Sequence, residues 1–315
     1  MINLLIKKRL CVSLFVLCTL STEFAFANSI LVTSWNIEWL STADKTSRLS
    51  TPRTQKDIDV LASHFKHISP SVLFFQEVDS SKAIQNIIGN SYTVYLSDRA
   101  KEQHRRHQFD DINQYTGIAV KKGIVVLDPT DIRLDRSSNS KLRFATYLII
   151  DKEKTSTDRR APYTSNDYNK IHLLSLHLKA GCSGKFKPSK SCVTLKQQGR
   201  ELNLWIKERV QNKESFIVAG DFNHNLSYPN DWFYSEITQA VQTKTTLASR
   251  KTTANCVVKS NRNPEKTHQF KSLIDHMIIS SDLTDNQVTQ HVYSKSDVLN
   301  YHLSDHCPVS LLIRN

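Results

Sequence analysis

The stretch Phe216-Ile217-Val218-Ala219-Gly220-Asp221-Phe222-Asn223-His224 passes from an unbroken apolar run directly into Gly, Asp, Asn and His. A short apolar run rich in Val, Ile and Phe is the pattern of a strand covered on both faces. Polar residues directly after it stand at that strand's end. The pattern recurs on both sides. Ile30–Trp35 is followed by Asn36 and Glu38, and Val72–Phe75 by Gln76 and Glu77. Ile171–Leu178 carries His177 near its end, and Leu273–Ile279 is interrupted by Asp275 and His276. Ser304, Asp305 and His306 stand just before Pro308–Ile313. Thr93–Leu96, Gly117–Val120 and Phe144–Ile150 are further strand candidates. One Asp after a strand is ordinarily a turn or a cap. Six such groups can converge at one edge of a sheet, a usual place for an α/β site.

Helical spacing lies between the strands. Thr51 can cap a helix with Pro52 at its first position, followed by Ile58, Leu61, Phe65 and Ile68. Ala83, Ile84, Ile87 and Ile88 mark a short helix, and Leu195, Leu202, Ile206 and Val210 a longer one. Strands mixed with helices predict a layered α/β or α+β domain. With only 7 Gly and 8 Pro and no repeat or low-complexity tract, nothing reads as a linker, so residues 28–315 are expected to form one domain. Ala100 to Asn113 reads as a cationic loop in which Arg105 and Arg106 could contact a polyanion, or simply a solvated surface loop. Asp151 to Asn169 reads as a second loop.

Residues 1–27 have the pattern of a secretory signal peptide. Lys7, Lys8 and Arg9 precede the apolar run Leu10–Leu20, and Ala25-Phe26-Ala27 places cleavage before Asn28. The run is short for a membrane span and ends in Ser21, Thr22 and Glu23. The expected location is secreted or periplasmic, with no stable membrane anchor after cleavage. Cys182, Cys192, Cys256 and Cys307 then remain, and in an oxidising compartment they predict two disulfides. Cys182 with Cys192 would close a short loop, leaving Cys256 with Cys307. A zinc site is the alternative, but no C-x-x-C spacing supports it. The chain holds 42 Lys+Arg against 30 Asp+Glu; residues 1–27 remove three basic residues and Glu23, leaving a net charge of +10. Such a chain attracts polyanions, which include nucleic acid, anionic lipid and cell-wall polymer.

The residue types at the strand ends narrow the chemistry. Carboxylates and amides are hard oxygen ligands suited to Mg²⁺, with Mn²⁺ or Ca²⁺ as alternatives. Glu77 and Asp275, flanked by apolar strand, are costly to bury without a metal or a partner. No Walker motif, G-x-S-x-G or H-E-x-x-H is present, so those hydrolase classes lose support. The set suits metal-assisted attack of water on phosphorus.

Taken in order, Trp35-Asn36-Ile37-Glu38, Phe75-Gln76-Glu77-Val78, Ser175-Leu176-His177-Leu178-Lys179, Gly220-Asp221-Phe222-Asn223, Leu273-Ile274-Asp275-His276 and Leu303-Ser304-Asp305-His306-Cys307-Pro308-Val309 resemble the endonuclease/exonuclease/phosphatase superfamily. That group includes pancreatic-type deoxyribonucleases, abasic-site endonucleases, inositol polyphosphate phosphatases and bacterial sphingomyelinases. The resemblance implies a four-layer α/β/β/α sandwich of two mostly antiparallel sheets flanked by helices. It implies that Glu77 is the principal metal ligand, with Asn36 beside it and Glu38 and Asp305 on or next to the metal. By the same resemblance His306 is the catalytic histidine oriented by Asp275. Asp221 positions or activates water, Asn223 fixes the phosphate, and His177 matches a second histidine of the deoxyribonuclease branch. Tyr115 and Arg143 are candidate phosphate contacts, or surface residues. His276 and His224 match no catalytic position. The number of metal ions stays open.

Among the branches, the charge, the 101–106 stretch and His177 favour a nuclease acting on DNA with low sequence specificity. Leu195, Gln198, Leu202, Trp205 and Ile206 also resemble exported bacterial nucleases of this superfamily. A lipid phosphodiesterase would need an exposed apolar docking surface, for which Asp231-Trp232-Phe233-Tyr234 is the one aromatic cluster. A phosphomonoesterase needs less basicity. A non-catalytic binding module is disfavoured because every assignable catalytic position holds a competent residue. No protein partner is expected, and a monomer is.

Overall fold

The computed structural model describes residues 29–43, 52–155, 169–260, 262–283 and 287–314. Along the chain run β1 (Ile30–Leu40), α1 (Gln55–Ile68), β2 (Val72–Val78), α2 (Ser81–Ile88), β3 (Tyr92–Leu96), β4 (Tyr115–Lys121) and β5 (Ile124–Leu127). Next come β6 (Thr146–Thr155), β7 (Lys170–His177), α3 (Lys190–Asn212), β8 (Ser215–Asp221), α4 (Trp232–Ile237) and β9 (Thr245–Leu247). The chain continues through β10 (Val257–Lys259), β11 (Thr267–Gln269), β12 (Asp275–Ser280), β13 (Thr289–Gln290), α5 (Lys295–Asn300) and β14 (Val309–Ile313).

The strands form two six-stranded sheets, ordered β13-β14-β1-β2-β4-β3 and β5-β6-β7-β8-β12-β9, with β10 and β11 as a separate hairpin. Each large sheet is antiparallel except for one central parallel pair, β1 with β2 and β7 with β8. A parallel pair needs a crossover, and α1 and α3 supply them. Both central strands of each sheet therefore point their C-terminal ends the same way, and the polar groups following them gather there.

Three apolar layers make the expected four-layer sandwich. Val32, Phe74, Leu173, Ile217, Met277 and Leu311 pack between the two sheets. Trp35, Leu61, Phe65, Leu73, Phe75 and Ile84 pack the first sheet against α1 and α2. Leu174, Leu202, Trp205, Ile206, Phe216 and Phe233 pack the second against α3 and α4. The alternation is plain in β2, where Val72 and Phe74 face the other sheet while Leu73 and Phe75 face helices. Both faces are covered, so the strand reads as a continuous apolar run.

Several expectations need correction. The cap of α1 is Thr54, not Thr51: its hydroxyl accepts from Asp57 N while the Asp57 carboxylate accepts from Thr54 N at 2.7 Å, a reciprocal box. Ala100–Asn113 is more than a solvated loop. It contains a 3-10 turn over Glu102–His107 folded around buried Arg99, whose guanidinium donates to His107 O at 2.7 Å and Gln114 O at 3.2 Å. Asp151 lies inside β6, which continues to Thr155, so the second loop starts later than expected. Helix α3 begins at Lys190 and takes in Cys192. Segments 1–28 and 156–168 lie outside the described residues, and with them the stretch expected to be a signal peptide. No helix among the described residues is long and apolar enough to cross a membrane.

Cys182 and Cys192 lie at disulfide distance with Cα atoms 5.0 Å apart, and Cys256 and Cys307 likewise at 5.6 Å. Both expected pairs thus form.

Candidate active site

The strands are bent where they reach the site. β2 breaks register between Phe75 and Val78, and Glu77 there has φ 59°. β1 breaks register after Asn36, with Glu38 at φ 42°. Such bulges re-aim side chains out of the plain alternation of a strand. On β8, Gly220 has φ 150°, and a Cβ there would meet Leu176 O at 2.0 Å. Only glycine lets β7 and β8 approach closely enough to set Asp221 directly beside His177, its register partner.

Asn36 sits between the two sheets' acids. Its Nδ2 donates to Glu77 Oε1 at 3.2 Å and to Asp221 Oδ2 at 3.1 Å, while its Oδ1 accepts from Glu38 N at 3.0 Å. In this arrangement Asn36 is a donor to carboxylates, and the oxygens left for a cation are those of Glu77, Glu38 and Asp305. His177 Nε2 is 3.6 Å from Glu77 Oε1 and 3.5 Å from Asp221 Oδ2. Burial, with Arg143 and His306 nearby, holds the His177 ring neutral, its pKa well below the ordinary value.

His306 is the opposite case. Its Nδ1 donates to Asp275 Oδ2 at 2.7 Å, and its Nε2 faces Asp221 Oδ2 and Asp305 Oδ1, both at 3.8 Å. Burial works against its charge, but Asp275 and Asp221 outweigh burial and raise the pKa well above the ordinary value. Burial pushes the Asp221 carboxyl up to about 7, against the pull of His306. A raised carboxyl beside a charged imidazole is an acid–base pair set apart by environment. Asn223, at φ 53°, donates from its backbone to Asp221 Oδ1 at 2.7 Å and from Nδ2 to Leu178 O at 3.0 Å. Its side chain ties the ends of β7 and β8 together.

The loop that carries His306 is strapped to β1. Ser304 Oγ donates to Asn36 O at 2.7 Å, and Asp305 N donates to Glu38 Oε2 at 3.1 Å. Tyr293 Oη donates to His306 O at 2.8 Å and accepts from Trp35 Nε1 at 2.9 Å. Arg53 donates to Glu38 O, His302 O and Leu303 O at 2.7, 3.0 and 2.9 Å. Sequence reasoning missed Arg53 and Tyr293. A lone Arg ahead of a helix carries no signal that its fork will close on three carbonyls.

Arg143 donates to Gln114 Oε1, and Gln114 Nε2 in turn donates to Glu77 Oε2. Arg143 therefore reaches the acids through Gln114, another residue that sequence reasoning missed. Tyr115 is buried, pairs with Val78 just past the bulge, and carries the Arg99 guanidinium 5.2 Å from its ring centroid. Arg105 and Arg106 are exposed, and Arg106 Nε donates to His107 Nε2 at 3.1 Å. His276 and His224 are structural. His276 is held by Ser249 Oγ and Leu226 N, and His224 lies between Cys182 O and Asp231.

The donor set fits a hard cation. Burial, with repulsion from Asp305, pushes the Glu38 carboxyl up to about 7, an acidity that a cation between these carboxylates would restore. Among the described residues no three His, Cys, Asp or Glu side chains are preset as a closed metal cage.

The Endonuclease/Exonuclease/phosphatase family profile matches residues 33–306, nearly the whole described chain. The protein belongs to this family. Comparison with curated proteins returns no match. Among solved structures, an endonuclease/exonuclease/phosphatase from Bacteroides vulgatus is similar, with TM-score 0.61, 14% identity and coverage of 91% of this chain and 98% of that one. TDP2 from C. elegans gives 0.57 at 17% identity, covering 91% and 75%. A mannosyl-6-phosphatase from Bacteroides thetaiotaomicron gives 0.55 at 13% identity, covering 91% and 100%. At these identities the likeness fixes the fold. The family match places the chain in a group whose members are generally hydrolases of phosphoester bonds and typically use divalent metals.

Proposed function

We propose that this family member is a divalent-metal-dependent phosphodiesterase that cuts nucleic acid, as an endonuclease on DNA with low sequence specificity. We also propose that it acts outside the cytoplasm after residues 1–27 are removed. The observation that carries the hydrolase reading is the His306–Asp275 pair facing Asp221, an acid–base couple directed at one point. The choice of nucleic acid is supported by His177 standing against both Glu77 and Asp221, by the net charge of +10 outside residues 1–27, and by exposed Arg105 and Arg106.

In this reading Glu77, Glu38 and Asp305 would hold the metal, which would supply charge to neutralise phosphate oxygens. Asp221 accepts a proton from the attacking water, and its raised pKa suits that task. As the new P–O bond forms, the bond to the leaving oxygen breaks. Charged His306, kept so by Asp275, gives its Nε2 proton to the departing oxygen. Neutral His177 donates a hydrogen bond to the phosphate, and Asn223 keeps Asp221 aimed. Arg143, linked to Glu77 through Gln114, is the nearby cation that would meet phosphate oxygens, while Tyr115 is buried against Arg99 and supports the segment that carries it. Contacts to the phosphate backbone alone predict strong salt dependence and little base readout.

The test is a substrate panel of supercoiled plasmid, single-stranded DNA, RNA, sphingomyelin vesicles and a sugar phosphate, with Mg²⁺, Mn²⁺, Ca²⁺ or EDTA. Nicking of plasmid, lost in EDTA, is expected. Choline or inorganic phosphate release without nucleic-acid cleavage under any metal would refute the nuclease reading.

A further inference from the structure

Beside the catalytic residues lies a cavity of about 450 Å³. Glu38 and Asp305 form its wall toward the site, buried Val258 and Leu303 give it apolar surface, and exposed Lys259 with half-buried Tyr301 completes its rim. An apolar surface with a few placed polar groups is the make-up of a small-molecule pocket, and the volume lies in that range. The cavity is built by two elements that the reaction scheme above does not use. One is the β10–β11 hairpin, paired Val257 to Gln269 and Lys259 to Thr267. The other is α5, through Val298, with Tyr301 and His302 directly after it.

Covalent geometry holds these elements at the site. Cys256, at the hairpin's base, is bonded to Cys307, the residue after His306. Lys259 has no carboxylate partner among the described residues. His302, which also lines the cavity, keeps a buried ring nitrogen Nδ1 without a hydrogen-bond partner. A buried nitrogen left unsatisfied calls for a partner, and exposed Lys259 leaves a positive charge free at the same rim.

In-line displacement fixes which part of a substrate belongs there. The attacking and departing oxygens lie on opposite sides of phosphorus. Asp221 belongs to β8 of one sheet, while Glu38 and Asp305 belong to β1 and the loop before β14 of the other. His306 Nε2 lies 3.8 Å from an acid on each side. With water held at Asp221, the leaving group departs on the side away from β8, and Glu38, Asp305 and the cavity belong to the other sheet.

We infer that this cavity is the leaving-group subsite, taking the nucleoside on the departing side of the scissile phosphate against Tyr301, with the next phosphate of the strand on Lys259. The inference rests on the nucleic-acid reading and deepens it, since it makes Lys259 and Tyr301 determinants of substrate length.

Two substrates separate the outcomes: a short oligonucleotide, and a p-nitrophenyl phosphodiester whose leaving group carries no further phosphate. Lys259→Ala should raise KM for the oligonucleotide about tenfold with kcat unchanged, and lower the salt slope by about one. Its KM for the chromogenic diester should not move. Tyr301→Ala should raise the oligonucleotide KM by a similar factor, about tenfold for a lost stacking face, and Tyr301→Phe should restore it. An unchanged oligonucleotide KM in Lys259→Ala and Tyr301→Ala, or equal losses on both substrates, overturns the subsite alone. A wild-type enzyme that hydrolyses the chromogenic diester but neither binds nor cuts oligonucleotides overturns the nucleic-acid reading and the nucleotide occupant together.

Discussion

Asp275 and Asp221 are register partners across β12 and β8, two carboxylates opposite one another on neighbouring strands. Like charges so placed repel. His306 lies between them, 2.7 Å from one and 3.8 Å from the other, and its positive charge makes the pairing tolerable. Asp275→Asn keeps the shape but removes the group that fixes the ring's tautomer. The expected loss is roughly 10³-fold or more in kcat with little change in KM, measured under saturating metal. Wild-type kcat in this variant would show that His306 needs no orienting partner.

Arg53 is buried, with a side chain 3% exposed, and its three carbonyl acceptors join β1 to the segment before His306. Arg53→Ala leaves those acceptors unmet and takes the counter-charge from the Glu38 carboxylate. A loss of about 3 kcal/mol in urea unfolding is expected. Arg53→Lys keeps the charge but lacks the fork, so it should recover less than half of that loss.

Acid should destabilise the fold through its buried histidines. Burial lowers the His276 pKa to about 3 and that of His172 to about 4. In the unfolded chain both titrate near the ordinary value of about 6.5. Below that value the unfolded state binds protons that the folded state refuses. Stability is therefore fully present above pH 6.5 and falls toward pH 4 at about 1.4 kcal/mol per pH unit for each group. Urea titrations at pH 7, 5.5 and 4.5 measure the slope. His276→Gln should make it shallower by about one proton's worth.

Metal binding should be visible without turnover. A cation that binds only the folded state adds about 2.7 kcal/mol at a hundredfold excess over its Kd. Mg²⁺ should raise the melting temperature of the wild type and leave Glu77→Gln nearly unmoved in the same thermal scan.

The two cystine bridges should contribute unequally. Cys256 and Cys307 are 51 residues apart, Cys182 and Cys192 only 10. Chain-entropy arithmetic gives about 4 kcal/mol for the long loop and about 3 for the short one. Paired serine substitutions, compared by urea unfolding, check the order.

How much of this was legible in the sequence depends on the kind of residue. The central strands and the acids at their ends stood out because strands covered on both faces are apolar throughout, so any polar residue at their tips is conspicuous. Short edge strands such as β9 and β13 were not legible, since three or two residues carry no period. Arg53, Gln114 and Tyr293 escaped because their partners are backbone atoms or other polar side chains remote in the chain. A sequence shows that such a residue is polar and does not show what it will meet. Arg105 and Arg106 stood out for charge, yet the residue that organises their segment is the buried Arg99.

The apolar seam between the sheets has a consequence for how such a protein can change over generations. Glu77 and Glu38 hang from one sheet, Asp221 and Asp275 from the other, and what sets their separation is the packing of residues such as Phe74, Leu173 and Met277. A substitution there that slides one sheet over the other would leave every acid and histidine in place and still silence the enzyme. Heritable variation in the seam is thus under the same scrutiny as variation in the acids, although no seam residue ever meets the substrate.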